Sequence, residues 1–153
     1  MDNNLKYYLA GIVDGEGYIG IKKTHKKEQV SPYYHERVSI GMTNEEIIDL
    51  FHKFFGGSKF YRYRLDTRFN SNLPYWNWEI SDKKAAEFCR FFVDILIVKK
   101  RQAKLVIKLR ESKEKGQIRN KNGLLVKRLL NEREKYYQNI LEIHGRKRKD
   151  YYK

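Results

Sequence analysis

The chain has 153 residues, 41% of them hydrophobic and 34% charged, with a formal net charge of +14. That length fits one domain able to bury a core, and the charge points to a polyanionic partner, nucleic acid first. The single cysteine, Cys89, excludes an internal disulfide and a cysteine-built zinc site, and no apolar run approaches the ~18 residues of a membrane span.

The opening MDNNLKYYLAG starts on an acid and lacks the apolar core of a signal peptide, so an intracellular protein is expected. Leu5, Tyr8, Leu9, Ile12 and Val13 then recur at helical spacing, with Gly17 as the stop. In YIGIKK, Ile19 and Ile21 share one side and Tyr18, Gly20 and Lys22 the other. The polar stretch from Thr24 to Tyr34 reads as a long hairpin connection. RVSIGMT alternates again, with Val38, Ile40 and Met42 opposite Arg37, Ser39 and Gly41. Thr43 and Glu46 form a capping box, so the next helix starts there, buries Ile47, Ile48, Phe51, Phe54 and Phe55, and ends at Gly56–Gly57.

Two more strands follow, KFYRYRL and YWNWEI, around a polar loop from Asp66 to Pro74. A third helix after Ser81 carries Ala85, Phe88, Phe92 and Leu96 on its apolar side. Two further helical stretches are predicted, about Gln102–Lys115 and Leu124–Ile143, before a charged, frayed end at 146–153. Charge divides unevenly along this order. Residues 1–98 carry 14 Lys and Arg against 13 Asp and Glu, whereas residues 99–153 carry 19 against 6. The whole is one domain of class α+β: four antiparallel strands with helices on one face, a core over about 3–100 and a basic helical region over about 101–145.

The segment LAGIVDGEG, Leu9 to Gly17, ends the first predicted helix on two acids set among glycines. Gly11 and Gly15 lie four apart on one helix face, where small residues admit a second helix. Asp14 and Glu16 put carboxylates at a helix carboxy terminus, which already carries partial negative charge. The segment and the αββαββα order after it resemble the LAGLIDADG homing endonucleases. The resemblance implies a saddle-shaped sheet and motif helices of two halves packed side by side. With one motif copy in this chain, it implies a homodimer, with Leu9, Gly11, Ile12 and Gly15 at the interface.

What the resemblance implies about chemistry is metal-dependent hydrolysis of both strands of a long, roughly palindromic double-stranded DNA target, leaving short 3′ overhangs, in the service of intron homing. Glu16 would be the metal ligand, aided by the Gly15 carbonyl. Hard oxygen donors suit Mg²⁺, with Mn²⁺ as an alternative. Asn44 would line the solvent pocket, and Lys99, or its neighbour Lys100, would sit near the scissile phosphate. Asp14 is expected to be structural. The polar sheet face would read DNA through Lys22, Thr24, Arg37, Ser39, Arg62, Arg64, Tyr75 and Asn77, while Lys26, Lys27 and Arg68 grip phosphates. Two rival functions stay open: a maturase that binds intron RNA, for which the basic tail is suited, and a DNA-binding regulator without nuclease activity.

Overall fold

The computed structural model describes residues 1–25, 30–62, 75–122 and 124–145. Helix α1 (Asn3–Glu16) runs without a linker into β1 (Gly17–Thr24), and β2 (Tyr33–Met42) returns beside it. Helix α2 (Glu45–Phe55), β3 (Ser58–Arg62), β4 (Tyr75–Ser81) and α3 (Asp82–Phe92) repeat the scheme. Helices α4 (Lys100–Lys115) and α5 (Lys127–Ile143) complete the order. The strands form one antiparallel sheet in the order β1-β2-β4-β3, so the two hairpins meet through β2 and β4. The predicted α+β architecture is the one observed.

Strand alternation decides which face is covered. Ile19, Ile21, Val38, Ile40, Trp78 and Ile80 are buried under the helices. Phe51, Phe88 and Phe92 complete an aromatic centre around Trp78, whose indole N–H donates to the Gly56 carbonyl at 2.6 Å. Burying such side chains stabilises by about 1.5–3 kcal/mol each. The opposite face carries Tyr18, Gly20 and Lys22 of β1, His35, Arg37, Ser39 and Gly41 of β2, and Tyr75, Asn77 and Glu79 of β4.

Three boundaries differ from the sequence expectation. Asn44, not Thr43, caps α2: its Oδ1 accepts from the Ile47 amide at 3.1 Å. Helix α3 stops at Phe92, and Leu96 reaches the core from the turn that follows. Helix α5 starts at Lys127, because Arg119 and Leu125 pair in a short bridge ahead of it.

The two carboxy-terminal helices are fastened by charge as well as by apolar contact. Glu36 is fully buried on the core side of β2 and faces Lys113 Nζ at 2.6 Å and Arg110 Nε at 3.0 Å. The latter is an ion contact whose angle falls short of a hydrogen bond. Lys113 also lies 3.2 Å from Asp82. Arg133 of α5 is buried and donates to the carbonyls of Ser112 (2.9 Å) and Gly116, closing the orphan carbonyls at the end of α4. These cations are engaged within the fold.

Candidate active site and nucleic-acid interface

The segment Leu9–Gly17 forms the last two turns of α1 and the first residue of β1. The direct passage from helix to strand depends on Gly17. Its amide donates to the Val13 carbonyl, and a Cβ at this position would lie 2.6 Å from that same oxygen. Only glycine fits so close an approach, and it brings the end of the helix to the edge of the sheet.

Asp14 points at the connection between α3 and α4. Its carboxylate accepts from the backbone amides of Ile97 (2.7 Å) and Lys99 (2.9 Å). The Lys99 ammonium returns to donate to the Asp14 carbonyl. Partial burial pulls the Lys99 pKa below the usual lysine range, against the opposing pull of Asp14 and Glu16. Lys99 therefore lies within the electrostatic reach of both acids. Lys100 does not join them: its ammonium donates to the Asp94 carbonyl at 3.1 Å. The positive amino-terminal end of α4 thus meets the negative carboxy-terminal end of α1, with Glu16 exposed beside them.

Asn44 belongs to a different setting. Its side-chain oxygen is committed to the α2 cap, and no hydrogen bond joins it to Asp14, Glu16 or Lys99 among the described residues.

On the open sheet face, Lys22 is exposed and Thr24, Arg37, Ser39, Tyr75 and Asn77 are half-buried. Thr24 Oγ1 lies 3.3 Å from His35 Nε2. The Arg37 guanidinium is paired with Glu79, an acid that sequence alone did not single out. Tyr75 and Asn77 lean over Gly41, where a Cβ would lie 2.4 Å from the Tyr75 hydroxyl. The Asn77 Nδ2 is buried and unpartnered, so contact with a base edge requires that side chain to turn outward. Arg62 pairs with Tyr75 through the backbone. Its side chain, and Lys26, Lys27, Arg64 and Arg68 entirely, lie outside the described residues, as does the tail at 146–153.

The proposed interface residues divide. Leu9 is fully buried within its own chain and can offer nothing to a partner, which corrects its assignment to a dimer surface. Ile12 is half-buried against the core. Gly11 and Gly15 are exposed, and a Cβ on either would meet nothing within 4 Å. Tyr7 (61% exposed) and Tyr8 (53%) lie on the same uncovered side of α1.

No family model matches the chain, and no curated protein matches it by sequence. Solved structures do match. The homing endonuclease I-CvuI, in complex with its target in the presence of calcium, gives a TM-score of 0.72 at 17% identity over 95% of this chain and 85% of that one. The archaeal intron-encoded homing endonuclease I-Vdi141I, complexed with DNA, gives 0.64 at 19% identity over 99% and 90%. I-SmaMI, bound to uncleaved DNA target in the presence of calcium ions, gives 0.66 at 16% identity, over 90% of this chain but 45% of its own. This chain therefore has the homing-endonuclease fold.

Proposed function

We propose that the chain is a homodimeric, metal-dependent, site-specific endonuclease of double-stranded DNA, serving intron homing. The observation that carries this reading is the contact of Lys99 with Asp14, beside the exposed Glu16, at the end of α1, where that helix joins a sheet with an open polar face. The endonucleases with which the chain shares its fold are described with DNA targets, which supports the same substrate class here.

The donor set fits a hard divalent cation in part. Glu16 offers an exposed carboxylate, and Gly15 a carbonyl in a last helical turn, where no amide four residues on is helical. Among the described residues no group of three or more His, Cys, Asp or Glu could hold a metal alone. Water, a scissile phosphate and the partner's Glu16 would have to complete the sphere. When bound, Mg²⁺ or Mn²⁺ would supply Lewis-acid stabilisation and an activated water.

The residues of the chain do the rest. Asp14 holds the amides of Ile97 and Lys99 and so fixes the backbone that carries the Lys99 ammonium. Lys99 then presents a positioned cation to charge that develops on the phosphate, with no reorganisation needed at that moment. Lys22 supplies a cation to the duplex on the open face, and Arg37 would add a second on release from Glu79.

Dimerisation has its own support. Glycine in a helix interior costs about 1 kcal/mol relative to alanine. Among the described residues no close contact requires glycine at 11 or 15. A second α1 approaching along this face explains both.

The test is a plasmid carrying the uninterrupted copy of the host gene, incubated with the protein with and without Mg²⁺. Linear product only with metal is expected, with an affinity that falls steeply as salt rises. Binding without metal-dependent cutting would overturn the nuclease reading.

A further inference from the structure

We propose that the helical layer carries a second nucleic-acid site, in the groove between α4 and α5, and that this groove takes a single strand. The groove encloses about 420 Å³. One wall is Arg101, Lys104 and Lys108 of α4, at i, i+3 and i+7 on one helix face, about 4.5 and 6 Å apart along the axis. All three make no ion pair or hydrogen bond through their side chains among the described residues. The other wall is Asn139 and Ile143 of α5, with Leu105 as an apolar floor and Glu142 as the only acid among the described residues that line the groove.

The same helix shows how the chain treats a cation meant for structure. Arg110 and Lys113 are given Glu36 and Asp82. Among the described residues Arg101, Lys104 and Lys108 have no such partner, and with Glu142 the one described acid lining the groove the wall keeps an excess of like charge that an anion would relieve. Ala103, Val106 and Leu109 of α4 are buried in the core, so Arg101, Lys104 and Lys108 stand on the outer side of that helix.

The chemistry of the groove narrows its occupant. A cleft between two helices packed about 8–10 Å apart is too narrow to seat a duplex. A single strand fits: its phosphates run along the α4 cations, its sugars or bases meet Leu105 and Ile143, and the Asn139 amide offers both a donor and an acceptor to a base edge.

The test uses the full chain and labelled oligouridylate and oligothymidylate of about 12 nucleotides, followed by fluorescence anisotropy. Lys104→Glu/Lys108→Glu should weaken single-strand binding at least tenfold and leave duplex binding within twofold. Lys121→Glu/Lys127→Glu, an equal change of charge outside the groove, should leave single-strand binding within twofold. Thermal melting of each variant confirms that it is folded. A preference for the ribo- or the deoxy-strand identifies the source of the ligand, and either supports the site. Equal losses in both double variants would reduce the effect to bulk charge and overturn the proposal. Equal binding of an oligoglutamate peptide, lost in the same variant, would overturn it in favour of an acidic protein partner. Neither result bears on cleavage by the α1 site.

Discussion

Helices α1 and α2 sit in corresponding positions ahead of the two hairpins, yet they end differently. Helix α2 has an asparagine cap, Glu45 and Glu46 in its first turn, His52 and Lys53 in its last, and Gly56 at φ +64° to close it. Each device opposes or caps a helix end, and each stabilises by roughly 0.3–1 kcal/mol. Helix α1 is capped by Asp2 in the same manner, through the Leu5 amide at 2.9 Å. Its other end has no basic residue in the last turn, two carboxylates instead, and two glycines facing open space. A chain that follows the rules in one helix and breaks them in its counterpart has a use for the broken end.

Glu16→Gln breaks the comparison most sharply. It removes the negative charge that opposes the helix dipole, so stability should hold or rise by a few tenths of a kcal/mol. DNA binding should survive, while cleavage falls about a thousandfold, equivalent to about 4 kcal/mol of barrier. Parallel melting and plasmid-cleavage measurements check it, and normal cutting would return Glu16 to an ordinary helix end. Next in size is Gly11→Leu/Gly15→Leu. With nothing among the described residues within 4 Å of a Cβ at either position, the monomer should fold with an unchanged spectrum. Sedimentation should show loss of the dimer, and double-strand cleavage should drop about a hundredfold at nanomolar protein, a change of about 2.7 kcal/mol. A dimer that persists would refute the glycine seam.

What the sequence made legible follows from locality. The spacing of Leu5, Leu9 and Val13 and the alternation of Ile19 with Ile21 are short-range patterns, and they specify α1, β1 and the covered sheet face. Thr43 and Asn44 are both competent caps, so their order could not be decided from the residues alone. Leu9 was misassigned because the apolar stripe of α1 faces the core, while the uncovered side carries Gly11, Gly15, Tyr7 and Tyr8. Glu36 was missed because the alternation was read from Arg37 onward. Carried back along β2 it puts Glu36 on the core side with Tyr34 and Val38. Its partners Arg110 and Lys113 come from a helix far along the chain, which no local pattern announces. That Lys99 and not Lys100 reaches Asp14 likewise comes from the fold of the α3–α4 connection.

The open face allows a finer test of how far the rule-breaking extends. Arg37 and Glu79 meet only through the register of β2 with β4. An acid there repels a phosphate backbone and occupies a guanidinium suited to a guanine edge. Glu79→Gln should raise DNA affinity about tenfold at low salt and steepen the salt dependence by about one counterion. The pair is roughly one-third exposed, so stability should change by less than about 1 kcal/mol. Unchanged affinity, measured by anisotropy across a salt series, would mean that Arg37 stays with Glu79 when DNA binds.

Asn44→Ala gives the smallest effect and decides which of the two helices owns this residue. As a cap whose oxygen accepts from Ile47, Asn44 should cost about 1 kcal/mol of stability when truncated, visible as a lower unfolding midpoint in urea. Asn44→Asp and Asn44→Ser keep an acceptor at the cap and should restore most of that loss. Cleavage at a temperature well below the transition should then be within twofold of the parent for all three variants. A cleavage defect in Asn44→Asp and Asn44→Ser, both stable, would mean that the amide has a task beyond α2. The rule-abiding helix would then contribute to the chemistry placed at the end of its counterpart.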